Sequence, residues 1–311
     1  MKTLIKIGAF VFALFLISCQ QKIEQVEIDE PDYVMEAGKY HNLYLDDILD
    51  YLSKRKPATR SVVSPATFAQ EMAGIQSAVL KNSGLKGMSR QQAIDHIKRN
   101  INVSISPDVL SLAQSITDNP NYSIVADLNK NGDLSPVLRG YVEEVDNILT
   151  SQTFSDARKE SKLKQAYLNW YREGNNEERD IIAGTYSVFQ DSKEYWTENA
   201  SAWEHSIGTM KTLKSFLWGV VRADGWALAK AFYAAGWYYA TMFWQEMLIA
   251  SGVASAISAV ANLILEIGTS SVDGQIMYTI NGSEPVSETE LKEMIFQEIV
   301  AMNPDWGLAE E

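Results

Sequence analysis

Residues 247–265 form nineteen consecutive positions without a charge, directly after a segment dense in aromatics. Trp226, Tyr233, Trp237 and Trp244 are spaced seven, four and seven apart, which places all four on one face of a helix. Residues 212–268 are the least polar part of the chain, and a helix that is apolar all round belongs in the centre of a large fold or in a bilayer. Ser251, Ser255, Ser258 and Asn262 line one side of the uncharged segment. Small residues on one face let helices approach closely in either setting. Two readings follow. In the first, a central hydrophobic hairpin is covered by amphipathic helices. In the second, a hairpin within 214–267 leaves the fold and enters a bilayer, as a bacteriocin-like, membrane-active protein would. Serines and an asparagine make 247–265 a poor autonomous spanning segment, which favours the core. If the Trp226–Tyr233–Trp237–Trp244 face were exposed, it would mark an interaction surface.

The rest of the chain supplies the covering helices. Leu45, Ile48, Leu49 and Leu52 recur at i, i+3, i+4 and i+7, one apolar stripe, and Pro57 ends that run. Ser64-Pro65, Ser106-Pro107 and Ser135-Pro136 each set a capping hydroxyl before a proline suited to the first helical turn, and Ser89 opens a helix from Arg90. Helical patterning continues over 155–173 and 176–204, with a break at Gly174-Asn175-Asn176. Gln275–Ile280 alternates like a short strand, Asn281-Gly282 is a turn signal, and Pro285 blocks a regular return strand. Ser287 and Glu290 form a capping box ahead of a last amphipathic helix bearing Leu291, Met294, Ile295 and Ile299. The expected fold is mostly α, a multi-helix bundle around the hairpin, with a short strand-turn-helix at the C-terminus.

The N-terminus reads as an address. Lys2 and Lys6 are followed by an apolar run over residues 7–17, too short to span a bilayer comfortably. Leu16-Ile17-Ser18-Cys19 then resembles a bacterial lipobox, which implies cleavage before Cys19 and palmitate and related acyl chains on it. The expected layout is a signal peptide at 1–18, a polar tether at 19–36, a helical domain at 37–270 and an appendage at 271–311. Gln20 after the cysteine implies the outer membrane, with periplasmic and surface faces both open. Cys19 is the only cysteine, so once it is lipidated no disulfide, thiolate nucleophile or cysteine-based metal site is left. Removing residues 1–18 takes two lysines and leaves 25 bases against 40 acids, a formal charge of −15. That balance excludes nucleic acid as a partner and a polybasic grip on anionic lipid.

One local motif suggests a metal. Asp127, Asn129, Asn131, Asp133 and Ser135 alternate around Gly132, with Leu134 as the hydrophobic residue, like the first nine positions of an EF-hand loop. The twelfth position, which should be a bidentate glutamate, is Leu138. Weak calcium binding and a plain polar turn into a helix capped by Ser135 both fit this segment. No other cofactor is expected. His41, near Asp46, Asp47 and Asp50, reads as a helix-surface or first-turn residue, since none of the three histidines has zinc-ligand spacing. Phosphate-binding loops, dinucleotide fingerprints and serine-hydrolase elbows are absent from the sequence. Acid pairs such as Asp46/Asp50 and Glu143/Glu144 fit a solvated face.

Further landmarks are Gly38-Lys39-Tyr40-His41-Asn42-Leu43, residues 135–149, Ser187-Val188-Phe189 with Ser192, Tyr195 and Trp196, and a helix from Ala223-Asp224-Gly225. Together they resemble an uncharacterised group of helical lipoproteins of Bacteroides-like bacteria. The resemblance covers roughly residues 38–265 and implies a helical envelope lipoprotein with no known reaction. It departs at the last helix pair, which here is loaded with Trp, Tyr and Phe. The expected function is non-enzymatic: a lipid-anchored envelope protein that binds a protein or other envelope partner or serves structurally. The membrane-active reading comes second. An envelope hydrolase comes third, and a cleft with converging carboxylates or His41 would favour it.

Overall fold

The computed structural model describes residues 32–54, 64–82, 85, 87–106, 115–116, 119, 121–207, 217–235, 248–249, 251–253, 256, 267–280 and 282–308. Among them the helices are α1 (Asp32–Met35), α2 (Ala37–Lys54), α3 (Pro65–Asn82), α4 (Arg90–Ser104) and α5 (Ile124–Leu128). There follow α6 (Pro136–Thr150), α7 (Asp156–Glu173), α8 (Asn176–Ile207), α9 (Leu217–Ala235) and α10 (Glu288–Met302). Strands β1 (Ile267–Val272), β2 (Gln275–Ile280) and β3 (Val286–Ser287) form one antiparallel sheet in that order. The protein is mostly helical, as its periodicity requires.

Helix starts follow the hydroxyl signals. Ser89 forms a reciprocal capping box with Gln92, and Ser123, Ser135, Ser155 and Ser287 each accept an N–H from the first turn of the helix they open. Pro136 sits in the first turn of α6, where the missing N–H costs nothing. The N-terminal part differs from expectation. Among the described residues the chain is already helical at Asp32, inside the segment expected to be a tether, and Ala37 opens α2. The reason lies on α8: Ser187 Oγ accepts the Gly38 N–H at 3.0 Å and donates to the Met35 carbonyl at 2.9 Å. A Cβ at Gly38 would overlap the Ser187 carbonyl and the Asp191 side chain, so the close approach needs glycine.

The 32-residue α8 is the spine of the fold, packing against α2, α7 and α9. Tyr186, Phe189, Trp196 and Trp203 of α8 are buried, and so are Leu45, Ile48 and Leu52 of α2. α9 is buried almost all round, with Trp226 fully enclosed between the edges of Tyr141 and Phe189. A Cβ at Gly225 would overlap the Phe189 ring, so glycine lets α9 sit directly on α8. The described part of the first arm of the expected hairpin is thus a core element. Most of the second arm lies outside the described residues.

The C-terminal part starts earlier than expected. β2 pairs with an upstream strand, β1, through a two-residue turn at Asp273-Gly274, both in the left-handed region with φ of 50° and 78°. Asp-Gly is a strong hairpin signal. It was masked by the polar, non-alternating sequence of β1, whose Gly268, Ser270, Ser271 and Val272 are exposed. The return strand is only two residues long, Val286 and Ser287 opposite Tyr278 and Met277. Tyr278 is buried and its hydroxyl donates to the Ile105 carbonyl at 2.7 Å, while α10 packs along α3 and α4. The final segment is therefore tied to the N-terminal helices, and residues 31–311 make one compact unit.

Candidate functional site

The apolar helix α9 carries three buried charged side chains, Arg222, Asp224 and Lys230, at 2%, 0% and 0% exposure. Unpaired charges do not survive in such surroundings, so each must have its partner in the fold. Arg222 pairs with Asp146 of α6 and also donates to the carbonyls of Ile116, Asn119 and Tyr122. Lys230 lies 3.1 Å from both the carboxylate and the carbonyl of Asp127. Asp224 accepts from the hydroxyl of Ser192 and from the indole N–H of Trp196 at 2.7 Å. The imidazole Nε2 of His41 stands 4.0 Å from the same carboxylate oxygen. Ser251 donates to the Asp224 carbonyl at 3.0 Å.

This network corrects the reading of His41. It is not on a helix surface; it is fully buried, facing α9 from α2. Four stretches of the chain meet at Asp224: α2 through His41, α8 through Ser192 and Trp196, α9 itself, and Ser251. A histidine, a serine and an aspartate come together here, but all three are sealed from solvent and the serine donates to the carboxylate. Nucleophilic catalysis needs the serine hydroxyl beside a base that frees it for attack, which this order does not provide.

In the segment that resembles a calcium loop, protein cations stand beside Asp127. Asp127 is 3% exposed and its carboxylate pairs with Lys230 and, at 2.8 Å, with Lys130. Asn129 Oδ1 accepts the Leu134 N–H at 3.0 Å. Ser135 caps α6 through Leu138 N–H and donates to Glu178 at 2.5 Å, and Asp133 is exposed. Asn131 ends a 3₁₀ turn, Asn129–Asn131, and its side chain lies outside the described parts. Among the described residues no group of three or more His, Cys, Asp or Glu side chains is arranged to hold a metal. Of the aromatic face, Trp226 is buried and donates to Asp146, Tyr233 is half-buried, and Trp237 and Trp244 lie outside the described residues, as does Cys19.

Among the described residues two concavities combine apolar and charged walls: one of about 590 Å³ beside Trp170, lined by Pro136, Val137, Glu144 and Arg172, and a cleft of about 430 Å³ between α7 and α8 with Trp218 of α9 at one side. Leu163 and Phe189, both buried, form its apolar base. Asp191 and Glu194 stand three residues apart on α8, and Glu160 of α7 pairs with Lys193 at 2.7 Å. Burial holds the Asp191 carboxyl above the usual carboxylate range, Glu194 pushes the same way, and Lys39 and His41 pull it down. The indole N–H of Trp218 donates to Asp156 at 2.8 Å, and Lys159 Nζ lies 4.9 Å from its ring centre. Burial lowers the Lys159 ammonium, which donates to the Leu149 carbonyl at 2.6 Å. No sequence spacing could reveal this cleft, because its acids sit on separate helices that only the fold brings together. Among known proteins, no family, no curated protein and no solved structure matches the chain.

Proposed function

We propose that the chain is a lipid-anchored protein of the cell envelope, held at the outer membrane through Cys19, whose helical body has a binding or structural role and no reaction of its own. The observation that carries the reading is the order of basic start, apolar run and Leu16-Ile17-Ser18-Cys19. Acyl chains contribute ~0.8 kcal/mol per buried CH₂, enough for anchoring without a basic patch when several chains are present. Arg222 and Lys230 of α9 support a structural reading of the core, since both are buried against acids of the fold, Asp146 and Asp127. A two-carboxylate hydrolase needs acids on both sides of the scissile bond. In the cleft Asp191 and Glu194 share one helix, and the acid of the other helix, Glu160, is engaged by Lys193. That arrangement favours binding over hydrolysis.

The test is intact mass of protein purified from the membrane fraction, together with the distribution of Cys19→Ala between membrane and soluble fractions. The expected mass lacks residues 1–18 and includes acyl chains, and the variant leaves the membrane. An unmodified Cys19, or full membrane retention of the variant, overturns the reading.

A further inference from the structure

We propose that the cleft between α7 and α8 binds a small amine, an ammonium group carried on an apolar or aromatic body. This deepens the binding role proposed above by naming the chemistry of its ligand. The volume of about 430 Å³ lies within the span of small-ligand clefts, ~300–1,000 Å³. The base is apolar and fixed: Leu163 and Phe189 are buried, and the Phe189 ring packs edge-on against Trp226. Trp218 adds an aromatic wall whose indole is held by its bond to Asp156. An apolar body thus meets a surface that needs no ordering to receive it.

Charge selects the head group. The lining carries three acids, Glu160, Asp191 and Glu194, against one base, Lys193, which pairs with Glu160. From α2, Lys39 and His41 act on Asp191, but Lys39 is tied to Glu36 at 3.0 Å and His41 faces Asp224 in the core. An ammonium seated between Asp191 and Glu194 would attract both carboxylates and offset the cost of burying Asp191. A carboxylate of the same shape would meet two like charges. The chain's formal charge of −13 biases the surroundings the same way, raising the local concentration of cations.

The experiment titrates full-length protein, purified from membranes in a maltoside detergent, with phenethylamine and separately with 3-phenylpropionate. The two probes have nearly the same body and opposite charge. The expected result is amine binding at least about tenfold tighter than carboxylate binding, a difference of ~1.4 kcal/mol. Glu194→Gln, at an exposed position, and Asp191→Asn should each weaken the amine severalfold, and raised salt should weaken it further. Circular dichroism establishes that the variants are folded, and Glu194→Gln decides the matter if Asp191→Asn is not. Binding of neither probe, equal binding of both, or amine affinity unchanged in folded variants overturns the proposal. The mass of the same preparation reports Cys19 acylation independently, so loss of the anchor reading leaves the titration interpretable, and the reverse.

Discussion

Arg222 holds Asp146 with two separate guanidinium nitrogens, Nε to Oδ1 at 2.6 Å and a terminal nitrogen to Oδ2 at 2.8 Å. The remaining donors go to the carbonyls of Ile116, Asn119 and Tyr122, so all five guanidinium N–H groups have acceptors. The same carboxylate accepts the indole N–H of Trp226 at 3.1 Å. One arginine on α9 thereby ties α6 and residues Ile116, Asn119 and Tyr122 to the central helix. The pair is oriented by geometry that few alternative packings could satisfy, which gives specificity to a helix whose apolar faces alone would tolerate sliding.

Removing one partner should be far worse than removing both. Asp146→Ala leaves Arg222 charged and buried, and is expected to cost ~3–5 kcal/mol. The double variant Asp146→Leu with Arg222→Met replaces charge by apolar volume and should recover much of that loss. Urea unfolding of the two singles and the double forms the cycle that measures it. Additive losses would show that the two residues do not act as a pair.

Lys230 stands to Asp127 as a bound cation would. Lys230→Met should therefore lower the melting temperature, because Asp127 is 3% exposed and, among the described residues, keeps as its cation Lys130, whose side chain is 62% exposed. Asp127→Asn should lower it as well, with or without calcium. Since Asp127, Asn129 and Ser135 already have protein partners, millimolar calcium should leave the wild-type melting curve where it is. A calcium-dependent rise that Asp127→Asn abolishes would restore the metal reading.

The contrast between this segment and the helix starts shows what the sequence could carry. Ser89, Ser135 and Ser287 act on N–H groups three residues away, so local spacing is enough to find them. The burial of α9 was legible for a similar reason, because it lies in the least polar stretch of the chain. Its ionic partners were not: Asp146 is 76 residues from Arg222, and Asp127 is 103 from Lys230. The Asp-Asn-Asn-Gly pattern looked like a ligand set because a turn and a calcium loop draw on the same residues. No local signal connects His41 with Asp224, so its sequence context points to a helix-surface or first-turn position. The acids of the cleft, Glu160 on one helix and Asp191 and Glu194 on another, are likewise a product of packing.

Asp191 should make the fold less stable as pH rises. Its folded-state value lies above the ordinary 3.8 because burial disfavours the charged form. Between 3.8 and the raised value the folded state binds more protons than the unfolded state, so stability falls through that window. The same holds for Asp46, raised by burial against a hydrogen bond with Tyr195. Asp191→Asn should then raise the melting temperature at neutral pH, and the gain should vanish below about pH 3.8, where both states are protonated. Measuring the difference between variant and wild type across pH cancels the opposing contribution of ordinary ion pairs. A gain that persists unchanged into acid would place its origin outside this titration.

The central helix should stay in the fold when the protein meets a bilayer. Among the described residues no helix is long and apolar enough to cross a membrane. α9 would have to carry Arg222, Asp224 and Lys230 with it, after losing Asp146, Ser192, Trp196 and Asp127 as partners. Placing a charged side chain at a bilayer centre costs ~2.5–3.5 kcal/mol on insertion scales, and α9 has three. Trp226 would also give up a fully enclosed position and its bond to Asp146. Full-length protein reconstituted on liposomes at neutral pH should therefore retain an entrapped dye. Dye release that depends on intact α9, and is lost when Trp226 is changed to Ala in a folded variant, would mean that the aromatic helix is built to leave the core and that the membrane-active reading is the right one.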